Sequence, residues 1–201
     1  MRAPSPPHVG TPIMIQHWRL LTFIHWRYPA DVVQSLLPDG LEVETFDGSA
    51  WIGLVPFVLA GQAGYGLPYR WSAMEVRPSG NRLRYRASRR WPGPSGARCD
   101  AEVELGRPYD EAELGPLDHF LTARFRLYST LAGRLVVADA EHPPWPLFSA
   151  RLHELRQDLV QAAGLPAPAG EPLLHASPGV RVRIGMWQPV RAGRRRLDPT
   201  F

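Results

Sequence analysis

The sequence predicts one α+β domain in which strands dominate, and three observations carry that prediction. The 22 prolines and 18 glycines among 201 residues leave room only for short elements joined by turns. Apolar residues recur in several segments at every second position, the period of a pleated strand. A hydrophobic fraction of 44% with seven tryptophans supplies a core that disordered chains lack, and 201 residues suit a single domain.

Taken in order, residues 1–11 form a flexible proline-rich lead-in, 12–190 one domain without a linker, and 191–201 a flexible tail containing Arg194, Arg195 and Arg196. Ile13 to Tyr28 suits a long strand. Strict alternation puts Trp18, Leu20, Ile24 and Trp26 on one face, and His17, Arg19, Leu21, Phe23, His25 and Arg27 on the other. Pro29 to Leu37 reads as a short helix stopped by Pro38, Asp39 and Gly40, which favour a turn. Leu41–Thr45 and Ala50–Ala60 are expected to form a hairpin around Phe46–Ser49, and Trp51–Val55, apolar on both faces, a central strand. Tyr69–Arg77 and Arg82–Arg90 flank a second hairpin turn at Pro78–Asn81.

From Arg98 to Leu105 the apolar Cys99, Ala101, Val103 and Leu105 alternate with charged residues, as in a half-exposed strand. Pro116 opens a short helix through Ala123, and Phe125–Tyr128 pairs with Leu135–Ala138 about a turn at Ala132 and Gly133. The clearest helical signal follows. Ser149 is placed to cap a segment with Leu152, Leu155, Leu159 and Val160 on one stripe, ended by Gly164 and Pro166. Val180 to Trp187 completes the strands.

Composition excludes several chemistries. There is no lysine, so all 23 basic residues are arginine and lysine Schiff-base catalysis is ruled out. One cysteine, Cys99, permits neither an internal disulfide nor a cysteine metal cluster, and in an alternating strand it is a small buried residue rather than a nucleophile. No apolar run is long enough to span a membrane and the start lacks an apolar signal core, so a cytoplasmic protein with no membrane partner is expected. Histidines never occur at His-x-His or His-x-x-x-His spacing, and Gly-x-Ser-x-Gly and glycine-rich phosphate loops are absent; no metal or cofactor is expected. A metal held by the distant His25, His142 and His175 is the lesser reading. The net charge of +4 is spread among 19 acids, which makes nucleic acid a minority partner. Its one foothold is the strand face of Arg82, Arg84 and Arg86, read first as an exposed stripe; Glu102 and Glu104 are read as a solvated pair.

Gln16-His17-Trp18-Arg19, His25-Trp26, Leu37-Pro38-Asp39-Gly40-Leu41, Phe46-Asp47-Gly48 with Ala50-Trp51, and Val55-Pro56-Phe57 resemble the opening of the YqjF-like family of uncharacterised proteins. Tyr65-Gly66-Leu67-Pro68-Tyr69, Phe120-Leu121-Thr122, Arg126-Leu127-Tyr128, His142-Pro143-Pro144-Trp145-Pro146-Leu147 and His175-Ala176-Ser177-Pro178-Gly179-Val180 follow in the family's order. The resemblance implies an acetoacetate-decarboxylase-like β-barrel or cone with a central cavity and a few peripheral helices, and implies no established activity. The lysine of decarboxylase chemistry has no counterpart here. This chain departs from the family by running from Gly61 almost directly into Tyr65, where relatives carry several dozen residues. Either part of the barrel is lost or the sequence omits it; a real loss would expose sheet edges that a homodimer could pair.

The candidate ligand-binding residues are Arg19 and His25 on the mixed face of the first strand, His142 and Trp145 in a proline-stiffened turn, His175 beside another constrained turn, and Arg126 with Tyr128, which share a strand face with Arg124. Arginine clamps anions and histidine titrates near neutral pH. The competing explanation is that these groups pair in the core or merely close turns. Three functions follow: a cavity for a small anionic or aromatic molecule, with acid/base or decarboxylase-like chemistry; a non-catalytic binding or structural module; and nucleic-acid binding through Arg82, Arg84 and Arg86.

Overall fold

The computed structural model describes residues 5–60, 72–89, 96–190 and 195–196. In chain order the elements are β1 (Met14–Pro29), α1 (Ala30–Gln34), β2 (Leu41–Glu42), β3 (Ser49–Leu54), β4 (Val58–Ala60), β5 (Ser72–Ser79), β6 (Arg82–Arg89), β7 (Arg98–Pro108), α2 (Pro116–Thr122), β8 (Arg126–Leu131), β9 (Arg134–Glu141), β10 (Phe148–Gln157), α3 (Leu159–Ala162), β11 (Leu173–Ile184), β12 (Gln188–Pro189) and β13 (Arg195–Arg196). Among the described residues eleven strands form one sheet, curled into a half-barrel, along the path β12-β9-β11-β10-β7-β6-β5. On this path β1 joins β11 and carries β3 and β4, while β8 joins β9. The strand-dominated architecture with few helices is the one the sequence predicts.

The backbone at Leu20 decides which side chains of β1 meet. Its φ of 52° lies in the left-handed region, which breaks the strict alternation. Before it the buried positions are the even ones, Met14 and Gln16; after it Leu21 and Phe23 join Met14 in one core cluster, with Trp18 against them. Ile24, Trp26 and Tyr28 turn to the other side, where Val33 of α1 and Val160 of α3 cover them. The expected single face from His17 to Arg27 is therefore two half-faces, and Arg19 is exposed while His25 is buried. Tyr85 of β6 spans the distortion: fully buried, its hydroxyl donates to the Leu20 carbonyl and shares a 2.8 Å hydrogen bond with the Thr22 hydroxyl.

Four other expectations need correction. Ser149 starts no helix: Phe148–Gln157 is strand β10, paired with β7, and the helix is confined to Leu159–Ala162. A register shift between Leu152 and Glu154 brings Leu152 and Leu155, three apart, onto the same cluster with Val103 and Tyr85, so a bulged strand mimics helical spacing. The 41–60 hairpin also fails, because β2 does not pair β3 and the link between them closes only through a bridge of Phe46 to Ser49. Nor is Trp51–Val55 central: among the described residues β3 and β4 pair with β1 alone, and buried Pro56, whose carbonyl accepts from the Thr22 amide, separates them. The last strand starts at Leu173 rather than Val180.

The expected hairpin turns hold, with Gly80 and the Ala132-Gly133 pair at positive φ, as two-residue hairpins require. Parts of the lead-in and tail are engaged: the buried Val9 donates its amide to Glu141, and Arg195 and Arg196 pair with Leu41 and Glu42. The Tyr65–Tyr69 motif and the expected strand ends at residues 69–71 and 90 lie outside the described residues. Among the described residues no helix is long and apolar enough to cross a membrane.

Candidate functional site

Beyond Leu20 the odd residues of β1 share a face with β3 on one side and β11 on the other. His25 stands opposite Gly53, Arg27 opposite Trp51, and Phe23 opposite His175. Trp51, His25 and His175 therefore occupy a diagonal row across three adjacent strands, each step about 7–8 Å between α-carbons. Glycine at 53 lets the imidazole lie across β3, since a Cβ there would stand 2.7 Å from the His25 ring. The Phe23 ring lies parallel to it at 6.2 Å, Tyr109 tilts against His175 at 5.8 Å, and the Arg27 guanidinium sits 5.4 Å over Trp51.

Four buried side-chain nitrogens have no hydrogen-bond partner among the described residues, and three fall on this row: His25 Nδ1, His175 Nδ1 and Trp51 Nε1. The fourth, Arg183 Nε, lies beside Glu141 at 3.4 Å. Buried polar atoms are nearly always satisfied, so three orphans on one short diagonal single this row out as the candidate site.

His175, 2% exposed, is fixed by Asp118 of α2, whose Oδ1 lies 2.9 Å from Nε2. The other carboxylate oxygen accepts the Gly115 amide at 2.7 Å, so the first turn of α2 orients the acid. An ionised Asp118 places the proton on Nε2 and leaves Nδ1 as the lone pair. Burial lowers the His175 pKa and Asp118 opposes that shift. His25, 6% exposed, is pushed down to about 4 by burial, then by His175 and Arg124, and is neutral at physiological pH. Arg124, just past α2, hydrogen-bonds Glu44 and lies 4.2 Å over the Phe120 ring, which Phe46 meets at 5.5 Å.

Five of the seven sequence candidates take supporting or remote positions. His142 is buried between Phe125 and Trp145, with Nδ1 2.8 Å from the Pro143 carbonyl and Nε2 3.2 Å from that of Arg124. Trp145 donates to the Thr122 carbonyl at 3.1 Å, so together they pin the link that carries Arg124. Arg19 is exposed on the half-face that Leu20 turns away. Arg126 and Tyr128 instead line a separate cleft of about 220 Å³ with Leu41 and Met186, where Arg126 meets Asp139 at 3.7 Å. Thus only His25 and His175 converge. Sequence reasoning missed Trp51, Gly53 and Asp118 as a site; the Gly115-Pro116 start of α2, with an acid three residues after Gly115, was the available sign.

The arginine stripe is self-neutralised. Arg82 meets Glu102 at 3.1 Å and Glu104 at 3.4 Å, Arg84 bonds Glu102, and Arg86 meets Asp100 at 3.1 Å. Glu102 and Glu104 are therefore ion-paired rather than simply solvated. Cys99 is buried with its thiol pushed up to about 11, mainly by desolvation, and among the described residues no group of three or more metal-ligating side chains occurs.

These pKa directions predict an acid-sensitive fold. Burial holds His25, His142 and His175 below 6.5, so the unfolded chain binds protons that the folded chain refuses. Stability present above that pH is lost as pH falls, for His25 down to about 4. His25 alone accounts for roughly 3 kcal/mol over that interval. Glu102, Glu104 and Glu113 have lowered pKa values and lose their contributions only in more acid solution. Urea midpoints at about pH 7.5 and about pH 5 should drop between the two, and less in His25→Gln.

A family model described as an uncharacterized conserved protein matches residues 15–63 and 58–181, two pieces that overlap at residues 58–63. The uncharacterized protein YqjF of Bacillus subtilis (strain 168) is 27% identical over 214 aligned positions, covering 83% of this chain and 88% of that protein. The alignment is longer than the 201 residues of this chain, so YqjF carries positions that this chain lacks. Among solved structures, the enduracididine biosynthesis enzyme MppR complexed with pyruvate superposes with a TM-score of 0.54 at 16% identity, covering 93% of this chain and 91% of that one. An acetoacetate decarboxylase-like enzyme from Sphingomonas wittichii RW1 gives 0.50 at 12% identity, covering 90% and 94%. At these identities the likeness shows the fold, an acetoacetate-decarboxylase-like half-barrel. With the family model matching well over half of its length, the chain belongs to the DUF2071 family of uncharacterized conserved proteins, of which YqjF is a relative.

Proposed function

We propose that the row of Trp51, His25 and His175 binds a small carbonyl- or carboxylate-bearing molecule and that the His175–Asp118 pair supplies acid/base chemistry there without a lysine. The observation that carries this reading is the coincidence of three buried, unpartnered nitrogens on one diagonal. Trp51 Nε1 can only donate, His25 Nδ1 can donate in its neutral form, and His175 Nδ1 accepts. Phe23 and Tyr109 give the row aromatic walls, and Arg27 and Arg124 flank it with positive charge. The self-neutralised arginine stripe favours this site over nucleic acid.

Pyruvate, bound by the fold neighbour MppR, and benzoate, an aromatic carboxylate, are suitable probes. Titrating either into isotope-labelled protein should move the Trp51 indole N–H signal and the His25 and His175 ring signals, and Trp51→Phe should weaken binding. Saturable shifts confined to residues elsewhere, or none with either probe, would overturn the reading.

A further inference from the structure

We propose that the row is a carbon-acid site, which takes a proton from the carbon next to the carbonyl of an enolisable oxo acid while forming no covalent bond to it. This rests on the reading of the row as a small-molecule site and names its substrate class and step. The order of polarity along the diagonal carries it. At one end His175, locked by Asp118 with its proton on Nε2, offers a lone pair on Nδ1. At the middle and far end lie two more nitrogens with no partner among the described residues: Trp51 Nε1, always an N–H donor, and His25 Nδ1, a donor in its Nδ1–H tautomer. A base on the same short row as two donor-bearing side chains supplies the groups that deprotonation next to a carbonyl requires, because charge leaves the carbon and develops on the oxygen.

The step balances without an oxidant or reductant. The C–H bond breaks and its proton passes to His175 Nδ1, giving an imidazolium paired with Asp118. The electron pair becomes the carbon–carbon double bond of an enolate, and the carbonyl π pair moves onto oxygen, where Trp51 and His25 donate to it. Return of a proton from the imidazolium to carbon regenerates the oxo acid. The guanidinium groups of Arg27 and Arg124 flank the row and attract the substrate carboxylate. Neutral imidazole at position 25 suits the donor role, since it brings no second proton to compete for the base.

The test is exchange of the methyl protons of pyruvate for deuterium in heavy water, followed by proton NMR with the whole chain, alongside the Trp51 indole shift as an independent measure of binding. Exchange above the rate with unfolded protein is expected. His175→Gln, which keeps a hydrogen-bond donor for Asp118, should cut it by roughly 100-fold or more. The half-buried Trp51→Phe should cut it by at least roughly tenfold, and gives a second variant should His175→Gln not fold. Binding without accelerated exchange would overturn the carbon-acid inference and leave the binding reading standing. Neither binding nor exchange would overturn both, and exchange unchanged in both folded variants would remove the row from the chemistry.

Discussion

Gly179→Ala is expected to lower the thermal unfolding midpoint by roughly 8–16 °C, corresponding to a stability loss on the order of 4 kcal/mol. Gly179 has φ +117° and stands opposite Arg19, one residue before the distortion at Leu20. A Cβ there would lie 1.9 Å from the Trp18 carbonyl oxygen and 2.8 Å from the Arg19 Cα, both backbone atoms that no rotamer change can move. Relief means separating β1 from β11, the contact that aligns Phe23 with His175. Gly170→Ala is the control: its φ is +75° with nothing within 4 Å, so it carries the conformational cost without the clash and should lose only about 1 kcal/mol. Thermal and urea unfolding of the two variants separate these terms; equal losses would mean that the close approach of the strands contributes nothing.

Asp118→Asn is expected to reduce proton exchange at the site by roughly 10³-fold while leaving stability and probe binding nearly unchanged. The substituted amide keeps an oxygen to accept the Gly115 amide, so the start of α2 is preserved. Its NH₂ group faces His175 Nε2 in place of a carboxylate oxygen, and a donor there drives the imidazole proton to Nδ1. The lone pair that serves as base is then turned away and the imidazolium loses its counter-charge. Histidine ring NMR reports the tautomer directly. An Nε2–H tautomer retained in the variant, or exchange at the wild-type rate with the tautomer switched, would show that Asp118 does not position His175 for chemistry.

The two substitutions also show why the site was only half legible in the sequence. His25 stands out in the sequence on the mixed face of the first strand and His175 beside a constrained turn, but their neighbours depend on register. Trp51 joins the row because β3 lies against β1 with Arg27 opposite it, and Asp118 joins because α2 places an acid against β11. Arg19 falls beside His25 only if the strand keeps its alternation; one left-handed residue reverses it, and nothing local in Leu20 announces that. The same kind of irregularity made Leu152 and Leu155 look helical.

From the amino-acid order alone came the strand-rich class, the hairpin turns at Gly80 and Gly133, the absence of lysine chemistry and the family to which the chain belongs, because turn propensity, period and composition are written locally. Only the tertiary structure decided which polar side chains meet. Pairing across β3, β1 and β11 brings residues over a hundred positions apart to one face, and a single positive φ determines which half of β1 takes part.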